Sequence, residues 1–369
     1  MPDLDISSQF RHRCLLVNPP FPTTIPAAIA AFKAARAPEH IFGADGAGVQ
    51  DIYRTLAKLV HEDMAPKTHK KLAHEAFLLL TKLHEQALEK IKRGTFGDGK
   101  ETVVAILRTK TNAYHLSTLL YSDDISDFYE AESTTAQVVA KVVRSPLNND
   151  LMKNEADILA SLPAALDPKH HRYFPNLLDS FEVGVDKARR RVNIFASVAG
   201  LVSLEAVHNA YPVLDPRDAA WMWNRQLEAL HLLHGQGYIH GAATPDRFLI
   251  DPAAHTGTLT DFTRAVKVGS KIKAISPRWR DWYPAEVIGK VEVGPSVDVY
   301  MAAHCLRYLL DGNTAATPAQ IKALIKACTL GGAHRIQTVQ ELYSDFKKEL
   351  KRQYGSRAFR VLPWPPKEA

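Results

Sequence analysis

Apolar positions recur at helical spacing between residues 49 and 93. Ile52, Leu56, Leu59 and Val60 share one face, and after a break at 64–68 a second stripe runs through Leu72, Ala76, Phe77, Leu80, Leu83, Ala87 and Ile91. This periodicity predicts two amphipathic helices, and their short connection predicts an antiparallel hairpin. A further short helix is expected around 25–35, inside a Pro- and Ala-rich stretch. Gly94, Gly97 and Gly99 mark a junction at which the period changes. From 102 to 143 β-branched and alternating runs take over, in 102–107, 114–121 and 136–143, and these read as strands. A helix is expected over 149–162, strands near 177–183 and 192–198, and helices over 215–235, 296–310, 318–330 and 338–353. A β-rich lobe followed by an α-rich lobe predicts a two-lobed α+β architecture preceded by a small helical hairpin.

Composition narrows the function classes. With 46% apolar and 23% charged residues the chain has the balance of a folded globular protein. Cys14, Cys305 and Cys328 are scattered and odd in number, which excludes a disulfide framework and fits a reducing compartment. No signal-peptide pattern and no membrane-length apolar run occurs, so a cytoplasmic protein without membrane contact is expected. The formal charge of +6 raises a nucleic-acid reading. The basic residues, however, lie among 40 acidic ones. The clusters Arg189-Arg190-Arg191 and Lys347, Lys348, Lys351, Arg352 read as solvated surface, and no nucleic-acid partner is expected. His170-His171 lack a third ligand at metal spacing, and no metal site is expected.

The order of motifs is more specific. Val139-Ala140-Lys141 is followed fourteen residues later by Glu155 in the next helix. Tyr238-Ile239-His240-Gly241-Ala242-Ala243-Thr244-Pro245-Asp246-Arg247-Phe248-Leu249-Ile250 precedes Asp261-Phe262-Thr263. Tyr283-Pro284-Ala285-Glu286, then Asp298, then Arg335 complete the series. In this order and spacing the chain resembles the protein kinases: strand lysine, helix glutamate, catalytic loop, magnesium aspartate, end of the activation segment and its arginine partner. The resemblance implies that Lys141 pairs with Glu155, that His240 and Asp298 brace the catalytic loop, and that Glu286 pairs with Arg335.

Departures from the pattern carry the functional expectation. The catalytic aspartate is replaced by Ala242, whose methyl accepts no proton, and the metal-binding asparagine by Arg247. A guanidinium cannot ligate a cation, and Arg247 is expected to pair with Asp261 in place of a metal. The glycine positions of the phosphate loop become Tyr121, Asp123 and Ser126. Side chains there would keep backbone amides from phosphate oxygens, and Asp123, Asp124 and Asp127 would repel a triphosphate. Phe195 falls at the position that narrows the adenine pocket. No cofactor is therefore expected; were ATP to bind, Lys141, Phe195 and Asp261 would meet it. The expectation is a non-catalytic pseudokinase that binds other proteins. The alternative is a divergent ATP-binding kinase or nucleotide-transfer enzyme using Lys141, Glu155 and Asp261. The segment carrying Arg264, Lys267, Lys271, Lys273, Arg278 and Arg280 is a candidate surface for an acidic partner.

The helical hairpin has a resemblance of its own. Asp51 to Asp63 resembles the second helix of a DnaJ-type J domain running into its H-P-D loop, and His74-Glu75-Ala76-Phe77 resembles the start of the third helix. His61 and Asp63 match the loop, whereas Glu62 replaces the proline that would fix φ. The resemblance implies a DnaK-type chaperone as partner. The expected divisions are an extension over 1–45, the J-like module over 46–98, the kinase-like domain over 99–355 and a tail over 356–369.

Overall fold

The computed structural model describes residues 22–366 apart from 23, 36, 44–45, 62, 64, 95, 98–104, 199 and 357–358. The chain divides into two compact units, 1–106 with 115–120, and 107–114 with 121–369.

The first unit is helical. Helix α1 (Ile25–Ala34) starts at Thr24, whose hydroxyl accepts from the Ala27 amide, with Pro26 in its first turn. Both features favour a helix start. Helices α2 (Glu39–Phe42), α3 (Val49–Val60) and α4 (Lys70–Lys92) follow. The apolar stripes of α3 and α4 bury Leu56, Val60, Ala76, Leu80, Leu83 and Ala87, and α1 adds Ala28, Ile29 and Phe32 to the same core. The segment expected as an N-terminal extension thus shares its core with the hairpin. Lys90 reaches Glu39 at 2.9 Å and ties α4 to α2.

The second unit begins at a sheet. Strands β1 (Ala105–Arg108) and β2 (Ala113–Ser122) are divided between the units. In the second unit β3 (Ser126–Glu132), β4 (Gln137–Val143), β6 (Arg190–Ala196) and β5 (Leu177–Val183) run side by side, antiparallel. Helix α5 (Asn149–Ala165) lies between β4 and β5 in sequence and runs through Pro163 to Ala165, three residues beyond the expected end at Leu162.

Beyond it come β7 (Val202–Ser203), α6 (Leu204–Ala210), α7 (Pro216–Gly235), β8 (Tyr238–Ile239), β9 (Phe248–Asp251), β10 (Thr256–Leu259) and β11 (Val266–Lys267). Helices α8 (Ala285–Ile288), α9 (Ser296–Leu310), α10 (Ala319–Cys328) and α11 (Val339–Tyr354) complete the lobe. Strand β9 pairs with β10 and β7, and β8 with β11. The core is centred on α7 and α9, where Trp223 is fully buried, donates to the Ala302 carbonyl at 2.7 Å and packs edge-on against Phe346 of α11. The C-terminal segment is not free: Leu362 is buried, and Arg360 donates to Asp218 at 3.0 Å and to Asp215 at 3.1 Å.

Candidate functional site

Lys141 sits at the middle of β4, opposite Phe128 of β3 and Asn193 of β6. Strand β4 lies between β3 and β6, where its β-branched valines suit an extended, packed backbone, and Lys141 is only 1% exposed. Its ammonium donates to both Glu155 oxygens, at 2.8 and 3.0 Å, and to Asp261 at 2.8 Å. Glu155 is held from two further sides, by the Asn193 side-chain amide and by the Phe262 backbone amide, each at 2.9 Å. Burial works against the ammonium, but Asp261 and Glu155 outweigh it and hold the Lys141 pKa above the ordinary value.

Asp261 is the hub. Its backbone is left-handed at φ 62°, a conformation that Asp tolerates better than most residues. One oxygen accepts from Lys141 and, at 2.7 Å, from the Thr263 hydroxyl. The other pairs with Arg247 and lies 3.4 Å from Arg264. Burial alone would raise its pKa; Arg247, Lys141 and Arg264 reverse this and hold the carboxyl well below the usual range.

The turn between β2 and β3 supplies two more carboxylates. Asp123 accepts from the amides of Ile125 and Ser126 at 2.8 and 2.6 Å, which folds the turn on itself, and lies 3.6 Å from Arg247. Asp124 takes both oxygens to the Arg264 guanidinium, at 2.7 and 2.5 Å. Two of the three acidic residues expected to repel phosphate, Asp123 and Asp124, thus face buried arginines of the same unit, whereas Asp127 lies 3.6 Å from the exposed Arg144. Arg247 and Arg264 are 2% and 1% exposed, so Arg264 belongs to this network and not to a basic surface. Of the other residues in that basic stretch, Lys273 pairs with Asp150 at 3.1 Å and Arg278 with Glu205.

Backbone and side-chain hydrogen bonds brace the loop beside the network. Asp298 of α9 accepts from the amides of His240 and Gly241 at 2.7 and 2.9 Å, and lies 2.8 Å from the His234 imidazole. Gly241 is required there: its φ is +71°, and a Cβ would stand 2.8 Å from the Arg264 carbonyl oxygen. His240 packs edge-on against Phe262, which packs likewise against Phe174. Ala242 is fully buried, and its neighbour Thr244 donates its hydroxyl to Asp246 at 2.6 Å. Phe195 is buried on β6 opposite Val139. Arg335 donates to Glu286 at 2.5 Å and to the Ser296 carbonyl at 3.4 Å.

The structure thus brings Lys141, Glu155, Asp261 and Arg247 into one network, with His240 and Ala242 on the adjoining loop. His61 and Asp63 lie at the end of α3 in the first unit, both exposed, the Asp63 amide donating to the His61 ring at 3.3 Å. Glu62 falls outside the described residues. Sequence reasoning missed Asn193 and Thr263 as partners in the network, and read Asp124 and Arg264 as separate charges.

No protein-family model and no curated protein sequence matches the chain. Among solved structures it is similar to vaccinia related kinase 3, with a TM-score of 0.52 at 14% identity, covering 73% of this chain and 97% of that one. It is likewise similar to the BubR1 kinase domain, with a TM-score of 0.52 at 14% identity, covering 73% of this chain and 93% of that one. The fold of the chain is protein-kinase-like.

Proposed function

We propose that the kinase-like domain is a non-catalytic scaffold that works by binding other proteins. The observation that carries this reading is the ion pair between Arg247 and Asp261. A magnesium–nucleotide needs carboxylate and amide oxygens at this point and backbone amides free to reach the phosphates. Here both Asp261 oxygens are taken by cations and a hydroxyl, and the metal-side residue is itself a cation. The residues do not fit the nucleotide's metal. Ala242 removes the group that would accept a hydroxyl proton.

The scaffold contacts need neither group. The ion pairs Lys141–Glu155 and Glu286–Arg335, and the His240 backbone amide donating to Asp298, hold the fold through the chain's own groups. The test is thermal unfolding with ATP, with and without magnesium, beside a phosphotransfer assay. A ligand at one hundred times its dissociation constant adds about 2.7 kcal/mol. The wild type should show no magnesium-dependent shift and no phosphotransfer, and Ala242→Asp alone should not restore transfer because Arg247 remains. A magnesium-dependent shift in the wild type overturns the reading and returns the enzyme alternative.

A second reading concerns the first unit. His61 and Asp63 stand exposed at the end of α3, where a J-like loop would offer them to a DnaK-type chaperone. ATPase stimulation lost in His61→Gln supports a co-chaperone role, and failure of the wild type to stimulate removes it.

A further inference from the structure

Residues 359–364 form neither helix nor strand, and they lie against the first turn of α7. Their side chains alternate between anchors and solvent. Phe359 stacks on His255 of the β9–β10 turn at 4.2 Å between ring centroids, and His255 stacks in turn on Trp221 of α7 at 4.0 Å. Arg360 is paired, Val361 is 72% exposed, Leu362 is buried, and the Pro363 carbonyl accepts from the Tyr211 hydroxyl. Pro363 has no amide hydrogen to give a helix, which suits an extended strip.

The bed beneath this strip is built for an arginine. Asp218 is 6% exposed, and among the described residues only Arg360 hydrogen-bonds its carboxylate. Nε reaches one oxygen at 3.0 Å and Nη2 the other at 3.2 Å. This two-pronged pairing needs the planar guanidinium fork, which a lysine lacks. Asp215 also accepts from Arg360, at 3.1 Å, but it pairs with Arg217 as well. With the strip lifted, Asp215 would keep a cation and Asp218 would have none at hydrogen-bond distance. A carboxylate left in this way is costly, so the bed favours any segment that brings an arginine back.

We propose that Tyr211, Asp215, Asp218, Trp221 and His255 form a docking groove for an extended aromatic-Arg-x-Leu-Pro segment of another protein, which the chain's own strip occupies until that partner displaces it. Recognition sites for extended chains work in this way, with alternate side chains filling pockets. The Asp218 carboxylate selects the arginine by charge and shape. The His255–Trp221 stack takes the aromatic ring before it, and the site of Leu362 takes the leucine. A tethered segment competes at about millimolar effective concentration, so the groove stays closed to weak ligands. The inference rests on the scaffold reading only in taking the partner to be a protein, and no nucleotide enters its test.

The experiment uses the full chain, with a fluorescent peptide of residues 356–366 as the probe and anisotropy as the readout. Arg360→Ala/Leu362→Ala, which loosens the chain's own strip, should bind the peptide at least tenfold tighter than the wild type. Adding Asp218→Asn should remove that gain. Citrulline in place of the peptide's second arginine, which keeps its shape without its charge, should remove it too. Equal binding to wild type and double variant, binding to neither, or a gain that survives either change overturns the proposal. Should the double variant fold poorly, Arg360→Lys serves in its place, with at least a threefold gain expected; no gain overturns the proposal. A wild-type dimer that excess peptide dissociates would put a second copy's strip in the groove, and overturns the choice of a different partner. A failure here leaves the phosphotransfer result standing, and a magnesium-dependent shift leaves peptide binding standing, so the two readings fall separately.

Discussion

Removing one charge from the buried network leaves its partners uncompensated in a dry site, and such a loss typically costs about 3–5 kcal/mol. Lys141→Met should therefore lower the unfolding free energy of the second unit by that order, read from urea unfolding, because Glu155 and Asp261 then face each other with one cation fewer. A change below about 1 kcal/mol would mean that water reaches the pair. A second residue gives the molecule a pH response. His304 is buried between Trp282 and Tyr300, beside Arg307, and burial followed by the Arg307 charge lowers its pKa to about 4. Its folded pKa lies below the ordinary 6.5, so its contribution is complete above pH 6.5 and is lost as pH falls toward 4. The expected loss is about 1–2 kcal/mol after allowance for nearby solvent. His304→Gln should flatten, though not abolish, the fall in melting temperature between pH 7 and 5, since burial also lowers the His240 pKa. An unchanged slope sinks the assignment. Much of this scale was legible: Lys141, Glu155, Asp261 and Arg247 were placed together from motif order alone. Arg264 and Asp124 were not, because neither occupies a position of the motif series, and without a motif a pair 140 residues apart leaves no trace in periodicity.

At the scale of elements, long periodic segments were legible and short ones were not. Helix α9 covers Ser296–Leu310 as the spacing predicted, and β5 covers Leu177–Val183. The two-residue strands β7, β8 and β11 are too short to alternate, and their pairing is set by the loops they bridge. Helix α5 outruns Pro163 because the next turn is still hydrogen-bonded, the Leu166 amide donating to the Leu162 carbonyl at 3.0 Å. The C-terminal segment reads as a tail yet is strapped down by Arg360 and Leu362, since neither an isolated arginine nor one leucine signals docking. The close approach of the turn after α9 to the loop before α7 is likewise invisible in sequence. A Cβ on Gly312 would stand 1.7 Å from the Pro212 carbonyl oxygen, a backbone atom that cannot swing away. Gly312→Ala should then cost about 1–3 kcal/mol, as overpacking does, read as a lower melting temperature. A neutral result would mean that this turn moves freely.

At the scale of the whole chain, the two-lobed kinase-like fold was legible because its landmarks occur in a fixed order, even though the solved structures it resembles are only 14% identical. The organisation of the first unit was less so. Its hairpin has a strong apolar stripe, but α1 sits in a segment whose prolines and alanines carry little period, and its place in the core follows from Ala28, Ile29 and Phe32 meeting the residues of α3 and α4. Each unit thus has a hydrophobic cluster of its own, one containing Leu80 and the other Trp223. Cooperative unfolding follows contiguous cores, so each cluster should respond to its own cavity. Leu80→Ala should cost about 2–5 kcal/mol and Trp223→Ala about 3–5 kcal/mol. In a calorimetric scan the first should lower one component of the unfolding and leave the other in place, and the second should do the reverse. If both variants shift one common transition, the units unfold as a single cooperative block, and a chaperone reading confined to the first unit would have to include the kinase-like domain as well.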